Sequence, residues 1–212
     1  MRYSSFLILF FALSFCACTQ AEKQSTDNTA SKATAKKEAL PKGATSTKST
    51  ISSDLPRVTY KELESRDVNG KTVMHKDDKP YNGVAFSTYS NAQVFTEQEY
   101  RNGLKIGGYA TWYPDGKPKT SGALNANGKE EGEIKQWYEN GQLKHIWIFK
   151  NGLKDGQWAQ WYESGQKWTQ RDFDNGVLNG KVYVWGEDGV LGKEYTYVNG
   201  NMTEKLNHFE NF

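Results

Sequence analysis

The chain has 212 residues, 36% of them hydrophobic, with seven Trp, twelve Tyr and ten Phe beside twenty Gly. That balance excludes an ordinary enclosed core rich in Leu, Ile and Val, and it predicts short strands and tight turns packed through large flat rings. A formal charge of +2, with basic residues scattered among acidic ones, excludes the basic stripe of a nucleic-acid binder.

The N-terminus reads as an address. Arg2 precedes the apolar run Phe6 to Phe15. A run of about ten residues is too short to span a bilayer, which needs roughly twenty. A positive start, a short apolar run and small residues after it are the layout of a secretory signal peptide. The alternative is a buried core helix, but no amphipathic partner helix follows. The run ends in Phe15-Cys16-Ala17-Cys18-Thr19, which resembles a bacterial lipobox. Ala17 fills the small position before the cysteine, which assigns the lipid to Cys18. Cys16 would place bulky Phe15 beside the cleavage point. The resemblance implies a lipoprotein signal peptide over residues 1–17 and a mature chain anchored through Cys18 to a membrane of the cell envelope, outside the cytoplasm, with the outer membrane as the expected site. Plain secretion is the alternative. Both cysteines lie in this segment, so the body of the chain has no disulfide to form.

Residues 18–56 carry the anchor and a linker. No aromatic residue stands between Phe15 and Tyr60, and Ala, Ser, Thr and Lys dominate. Such a stretch buries too little apolar area to offset its ordering entropy, so disorder is expected. As a flexible tether its mean reach is roughly 35 Å. A peptidoglycan- or partner-binding tail using its lysines is the functional alternative.

From residue 57 the chain becomes strand-like. Residues 57–82 alternate around the turn Val68-Asn69-Gly70 and read as an N-terminal β cap. Five units then start at Gly83, Gly107, Gly132, Gly156 and Gly180, separated by 24, 25, 24 and 24 residues. They fill residues 83–200, and 201–212 form a C-terminal tail or cap. Early in the units stand Thr88-Tyr89, Trp112-Tyr113, Trp137-Tyr138, Trp161-Tyr162 and Trp185-Gly186. Ala92, Gly116, Gly141, Gly165 and Gly189 follow at one fixed offset, and the units close on Asn-Gly pairs such as Asn151-Gly152. Pro114-Asp-Gly116 and Glu139-Asn-Gly141 read as tight turns whose glycine takes φ > 0, and the Asn-Gly pairs make the return turns. Each unit is thus two antiparallel strands of about six to eight residues, a typical strand length. The expected fold is all-β: an elongated single antiparallel sheet of stacked β-hairpins, extending roughly 50 Å at the usual strand spacing. Trp112, Trp137, Trp161 and Trp185 are expected to stack as a ladder, with Tyr113, Tyr138 and Tyr162 on the opposite side by strand alternation. Leu124 comes one place early against the closing turn of its unit, which predicts a one-residue insertion taken up as a bulge.

Gly-x4-Trp-Tyr-x2-Gly with a following Asn-Gly resembles the bacterial variant of the MORN repeat, the form found in YwqK-family antitoxins. The resemblance covers about residues 70–200. It implies a twisted sheet of stacked hairpins and a non-catalytic role in protein–protein contact or scaffolding, with contact to acidic phospholipids proposed for some eukaryotic members. It also implies an antitoxin- or immunity-like partner as one alternative.

No residue pattern points to catalysis. Glu139, Glu163 and Glu187 recur with Asp115 and Asp188. A glycosidase would pair two carboxylates at one unique place; residues that recur in every unit fit exposed turns instead. His75, His145 and His208 are far apart and no cysteine accompanies them, so no metal-ligand spacing appears. His145 falls mid-strand, where a surface position is expected. No nucleotide loop or nucleophile elbow is present. Neither an enzyme, nor a cofactor, nor a metal site is expected. Trp147, Trp158 and Trp168 are not shared by all units and are the candidate binding surface, since a rigid row of aromatics suits proteins or sugar rings. The expected function is a non-catalytic, lipid-anchored surface for protein binding or scaffolding, with a carbohydrate- or peptidoglycan-binding envelope protein as the alternative.

Overall fold

The computed structural model describes residues 51–208. The lipobox with Cys18 and residues 18–50 of the linker lie outside the described residues. The strands are β1 (Arg57–Thr59), β2 (Glu64–Val68), β3 (Lys71–Lys76), β4 (Lys79–Pro80), β5 (Gly83–Thr88), β6 (Val94–Arg101), β7 (Leu104–Trp112) and β8 (Pro118–Leu124). They continue as β9 (Gly132–Trp137), β10 (Leu143–Lys150), β11 (Leu153–Lys154), β12 (Gly156–Trp161), β13 (Lys167–Asp174), β14 (Val177–Trp185), β15 (Leu191–Val198) and β16 (Asn201–Asn207). The protein is all-β, and a long open sheet of 13 strands runs in chain order from β5 to β16. β1 joins it in parallel on β5, while every other pairing in the sheet is antiparallel. A small separate sheet, β2-β3-β4, forms within residues 57–82.

Two turns alternate along this sheet, and their chemistry is local. At one end the strand stops at the unit tryptophan, and the next residue begins a tight turn. Tyr138 N–H donates to the Gln142 carbonyl at 2.8 Å, and Gly141 N–H donates back to Tyr138 at 2.9 Å. The turn glycines Gly116, Gly141, Gly165 and Gly189 have φ of 83°, 89°, 87° and 82°. At the other end Asn102-Gly103, Asn151-Gly152, Asn175-Gly176 and Asn199-Gly200 have positive φ at both residues, the geometry whose twist matches flanking strands.

Each first turn is followed by a register shift that leaves one residue extra: Phe95, Lys119, Lys144, Trp168 and Gly192. Such a bulge re-aims a side chain. Here it aims the extra residue at the tyrosine of its own unit. Phe95 meets Tyr89 at 5.1 Å, Lys119 lies over Tyr113 at 5.4 Å, Lys144 over Tyr138 at 5.0 Å, and Trp168 meets Tyr162 at 5.6 Å.

The extra residue of the second unit does not make a strand bulge. Leu124 pairs with Gly107, as Phe149 pairs with Gly132 and Phe173 with Gly156. The insertion falls in the return turn, which becomes a longer loop closed by Asn125 N–H to Lys129 and Gly128 N–H to Asn125.

The cross-strand register defines two faces. One carries Ala110, Ser121, Lys135, Ile146, Ala159, Gln170 and Tyr183 in one row. Two residues on along the strands, the same face carries Trp112, Trp137, Trp161 and Trp185. Trp137 and Trp161 are buried, whereas Trp112 and Trp185 are half-buried. Among the described residues these four rings do not stack on one another; Trp185 meets Tyr183 at 5.5 Å instead. At 24-residue spacing they sit two strands apart, about 10 Å, too far for ring contact.

Two hydrophobic clusters of buried residues lie near the N-terminal edge. Val84 and Ala110 are covered on one face by Ile51, Leu55 and the Trp112 ring. On the other face Val58, Tyr81, Ala85 and Tyr100 pack with Tyr60, Leu63 and Met74. Residues 51–56, assigned to the linker by composition, therefore belong to the folded part: Ile51 is buried, and Ser52 N–H donates to the buried Glu99 carboxylate at 2.6 Å.

Candidate functional site

The middle units build an open hollow of about 470 Å³ on the face opposite the tryptophan row. Two of its rings, Trp147 and Trp158, come from positions where the unit sequence departs from its neighbours. Two residues after the opening glycine, the units carry Ala85, Tyr109, Ile134, Trp158 and Val182. Fifteen residues after it they carry Gln98, Gly122, Trp147, Arg171 and Tyr195. The register brings Trp147 opposite Ile134 and Trp158 opposite Arg171. Phe149 and Phe173 stand opposite the opening glycines Gly132 and Gly156. Near the N-terminal edge the equivalent ring, Tyr100, is buried under the cap residues. In the middle units no described segment covers this row, and the rings line a cavity.

Trp158 is at the centre. Its ring lies 6.0 Å from Trp147 at 47°, 5.1 Å from Phe149 at 57° and 5.1 Å from Phe173 at 51°. These tilted contacts suit ring quadrupoles and give a concave box. The Trp158 indole N–H donates to the Ile148 carbonyl at 2.8 Å, which fixes the ring. His145 stacks flat on Trp147, 4.7 Å away at 17°. This corrects the surface position expected for His145: it is half-buried, and its Nδ1 is buried with no hydrogen-bond partner among the described residues. Burial, and secondarily the neighbouring Lys144 charge, push its pKa down to about 4, so the ring is neutral near pH 7.

The polar groups are few. The Lys154 ammonium lies over Trp158 at 4.8 Å and over Phe173 at 5.1 Å. Arg171 donates to the Gln160 side-chain oxygen at 3.5 Å, and Thr169 donates to the same oxygen at 3.2 Å. Glu130 lines the wall nearest β8 and β9.

Of the three tryptophans singled out by sequence, Trp147 and Trp158 meet in this hollow and Trp168 does not. Trp168 is a turn-bulge residue, 41% exposed, held on Tyr162. Its position has a counterpart in every unit, so it follows the repeat in position though not in residue type. Phe149, Phe173, Lys154 and Arg171 were not singled out. The signal for the two phenylalanines was available, since an aromatic recurs seventeen residues after most opening glycines.

The repeated dipeptides are structural. Trp112, Trp137, Trp161 and Trp185 each offer the main-chain carbonyl to a hydroxyl of the preceding unit: Tyr89 to Trp112, Tyr113 to Trp137, Tyr138 to Trp161 and Tyr162 to Trp185, at 2.8 to 3.1 Å. Glu139, Glu163, Glu187, Asp115 and Asp188 lie in exposed turns. Two other carboxylates, Glu97 and Glu99, are buried near the N-terminal edge, yet Arg57 pairs with the first and Ser52 N–H donates to the second. His75 is buried with its Nδ1 3.1 Å from the Val73 carbonyl, and His208 lies at the last strand near Glu194. Among the described residues no group of three His, Cys, Asp or Glu is placed to hold a metal ion. No described helix is long and apolar enough to cross a membrane. No protein-family model matches the chain, and no curated protein matches it.

Proposed function

We propose that this chain is a non-catalytic binding protein, tethered outside the cytoplasm by a lipid on Cys18, whose repeat sheet presents the aromatic hollow to a protein partner. The observation that carries this reading is the box around Trp158. Four aromatic rings and an arginine converge on one concave, water-accessible place, the residue types that dominate binding energy at protein interfaces. The turn tyrosines and the residues before the opening glycines make hydrogen bonds between units, which supports a rigid display surface.

The reading is tested by titrating a partner, captured by crosslinking on intact cells, against variants. Trp147→Ala lowers affinity at least about tenfold, the scale of an interface hot spot, while the melting temperature stays close to that of the parent. Equal affinity for parent and variant contradicts the reading. Cys18→Ser releases the protein from membranes; retention contradicts the anchor.

A glycan-binding reading has one observation in its favour. Trp168 is the most exposed tryptophan, 41% accessible, and is braced by Tyr162 at 34°, a flatter platform than the box. It predicts tryptophan fluorescence changes with soluble glycan oligomers, lost in Trp168→Ala and kept in Trp147→Ala.

A further inference from the structure

We propose that the hollow takes an acidic segment of its protein partner, with an apolar side chain seated among Trp147, Trp158 and Phe173 and an adjacent carboxylate held by Lys154 and Arg171. This rests on the protein-binding reading and names the chemistry that the hollow selects.

The argument is one of uncompensated charge. Lys154 and Arg171 both flank Trp158. Lys154 lies over its ring, and Arg171 is its cross-strand partner. Neither forms an ion pair among the described residues. Lys154 contacts ring faces, and Arg171 reaches a neutral amide at the limit of hydrogen-bond distance. Three other cations on the sheet have carboxylate partners, Lys117 with Asp115, Lys135 with Glu133 and Lys181 with Glu194, while Lys119 and Lys144 also lie over rings; Lys154 and Arg171 differ from these in lining the hollow. An apolar side chain entering the box displaces water from both cations. Desolvating a charge without a partner is costly, so a ligand that brings a carboxylate is strongly preferred over one that does not. The guanidinium of Arg171 suits a carboxylate by its forked donors.

The acidic wall sets the orientation. Glu130 lies toward Tyr109, whose hydroxyl is pushed up to about 12 by burial and then by the Glu130 charge. A ligand carboxylate is repelled by Glu130 and attracted by Lys154 and Arg171. Two cations against one acid in the lining leave the hollow net positive, which selects a peptide with an acidic residue beside its apolar anchor.

The test is selection of a displayed library of random twelve-residue peptides on the intact chain. The expected result is enrichment of Asp or Glu within two residues of a Leu, Phe or similar side chain. A synthetic peptide from that set should change tryptophan fluorescence and weaken as salt rises. It should bind about tenfold more weakly to Arg171→Gln and to Lys154→Gln, the scale of one charge-assisted hydrogen bond. Arg171→Lys, which keeps the charge without the fork, should bind between the parent and Arg171→Gln, and circular dichroism should show all variants folded. Enriched peptides without acidic residues, bound through Trp147 but indifferent to Arg171→Gln and Lys154→Gln, overturn the acidic class and leave the protein-binding reading intact. No peptide enriched, with a hexose oligomer altering the fluorescence instead, overturns both.

Discussion

The hydroxyl of Tyr138 donates to the main-chain carbonyl of Trp161, 2.9 Å away and one repeat further along. The same bond recurs from Tyr89, Tyr113 and Tyr162, so each Trp-Tyr pair ties its unit to the next. Removing one such partly buried bond costs about 1 kcal/mol. Tyr138→Phe should therefore lower stability by that amount in urea denaturation. Tyr113→Phe and Tyr162→Phe should behave alike, and the losses should add because the sites are separate.

The opposite end of the sheet is laced by a second rule. The residue before an opening glycine accepts from the turn asparagine 20 residues later. Asn82 takes Asn102 N–H at 2.8 Å, and Glu131 takes Asn151 N–H at 2.7 Å. Ile106 is the exception, having no acceptor, and its unit is the one with the enlarged return loop. Asn82→Ala should speed hydrogen exchange at the Asn102 amide, with little effect at Asn175, which Asp155 holds.

Gly165 and Ala92 occupy equivalent turn positions, with φ of 87° and 67°. A side chain in this conformation costs about 1 kcal/mol relative to glycine. Gly165→Ala should destabilise by that order. Ala92→Gly should stabilise by a similar amount, less the entropy gained by the unfolded chain. Opposite shifts of the melting temperature check the pair.

His145 makes stability depend on pH. Its pKa is depressed in the folded protein to about 4, against an ordinary value near 6.5. The unfolded chain thus binds the proton more readily, and the contribution of His145 is complete above about pH 6.5 and is lost as pH falls toward 4. Between pH 6.5 and 5, above most carboxylate titrations, the melting temperature should fall more steeply for the parent than for His145→Gln. Equal slopes would mean that the ring on Trp147 is not held neutral by burial.

The sheet was legible from spacing because each unit carries its own turn chemistry. Gly141 and Asn151-Gly152 need positive φ wherever the fold places them, and they occupy those conformations. Position within a turn was harder to read. Leu124 keeps the register of its unit and the longer loop follows it, while Trp168 shares its position with Phe95, Lys119, Lys144 and Gly192, so residue type alone hides the correspondence. The hollow depends on which residues meet across strands. Trp147 and Trp158 lie 11 residues apart by number and 6.0 Å apart by ring, a proximity set by the return turn at Asn151-Gly152. The placement of Lys154 over Trp158 depends on side-chain packing that no spacing rule encodes.

Site-specific photo-crosslinking from the two faces of the sheet tests the binding surface most directly. A photoreactive residue in place of Gln160, on the hollow, is compared in living cells with one in place of Gln170, on the tryptophan face, whose cross-strand partner is Ala159. The account predicts one discrete protein adduct from position 160, abolished by Trp147→Ala, and none from position 170. Adducts from position 170 alone, or from position 160 unchanged by Trp147→Ala, would contradict it.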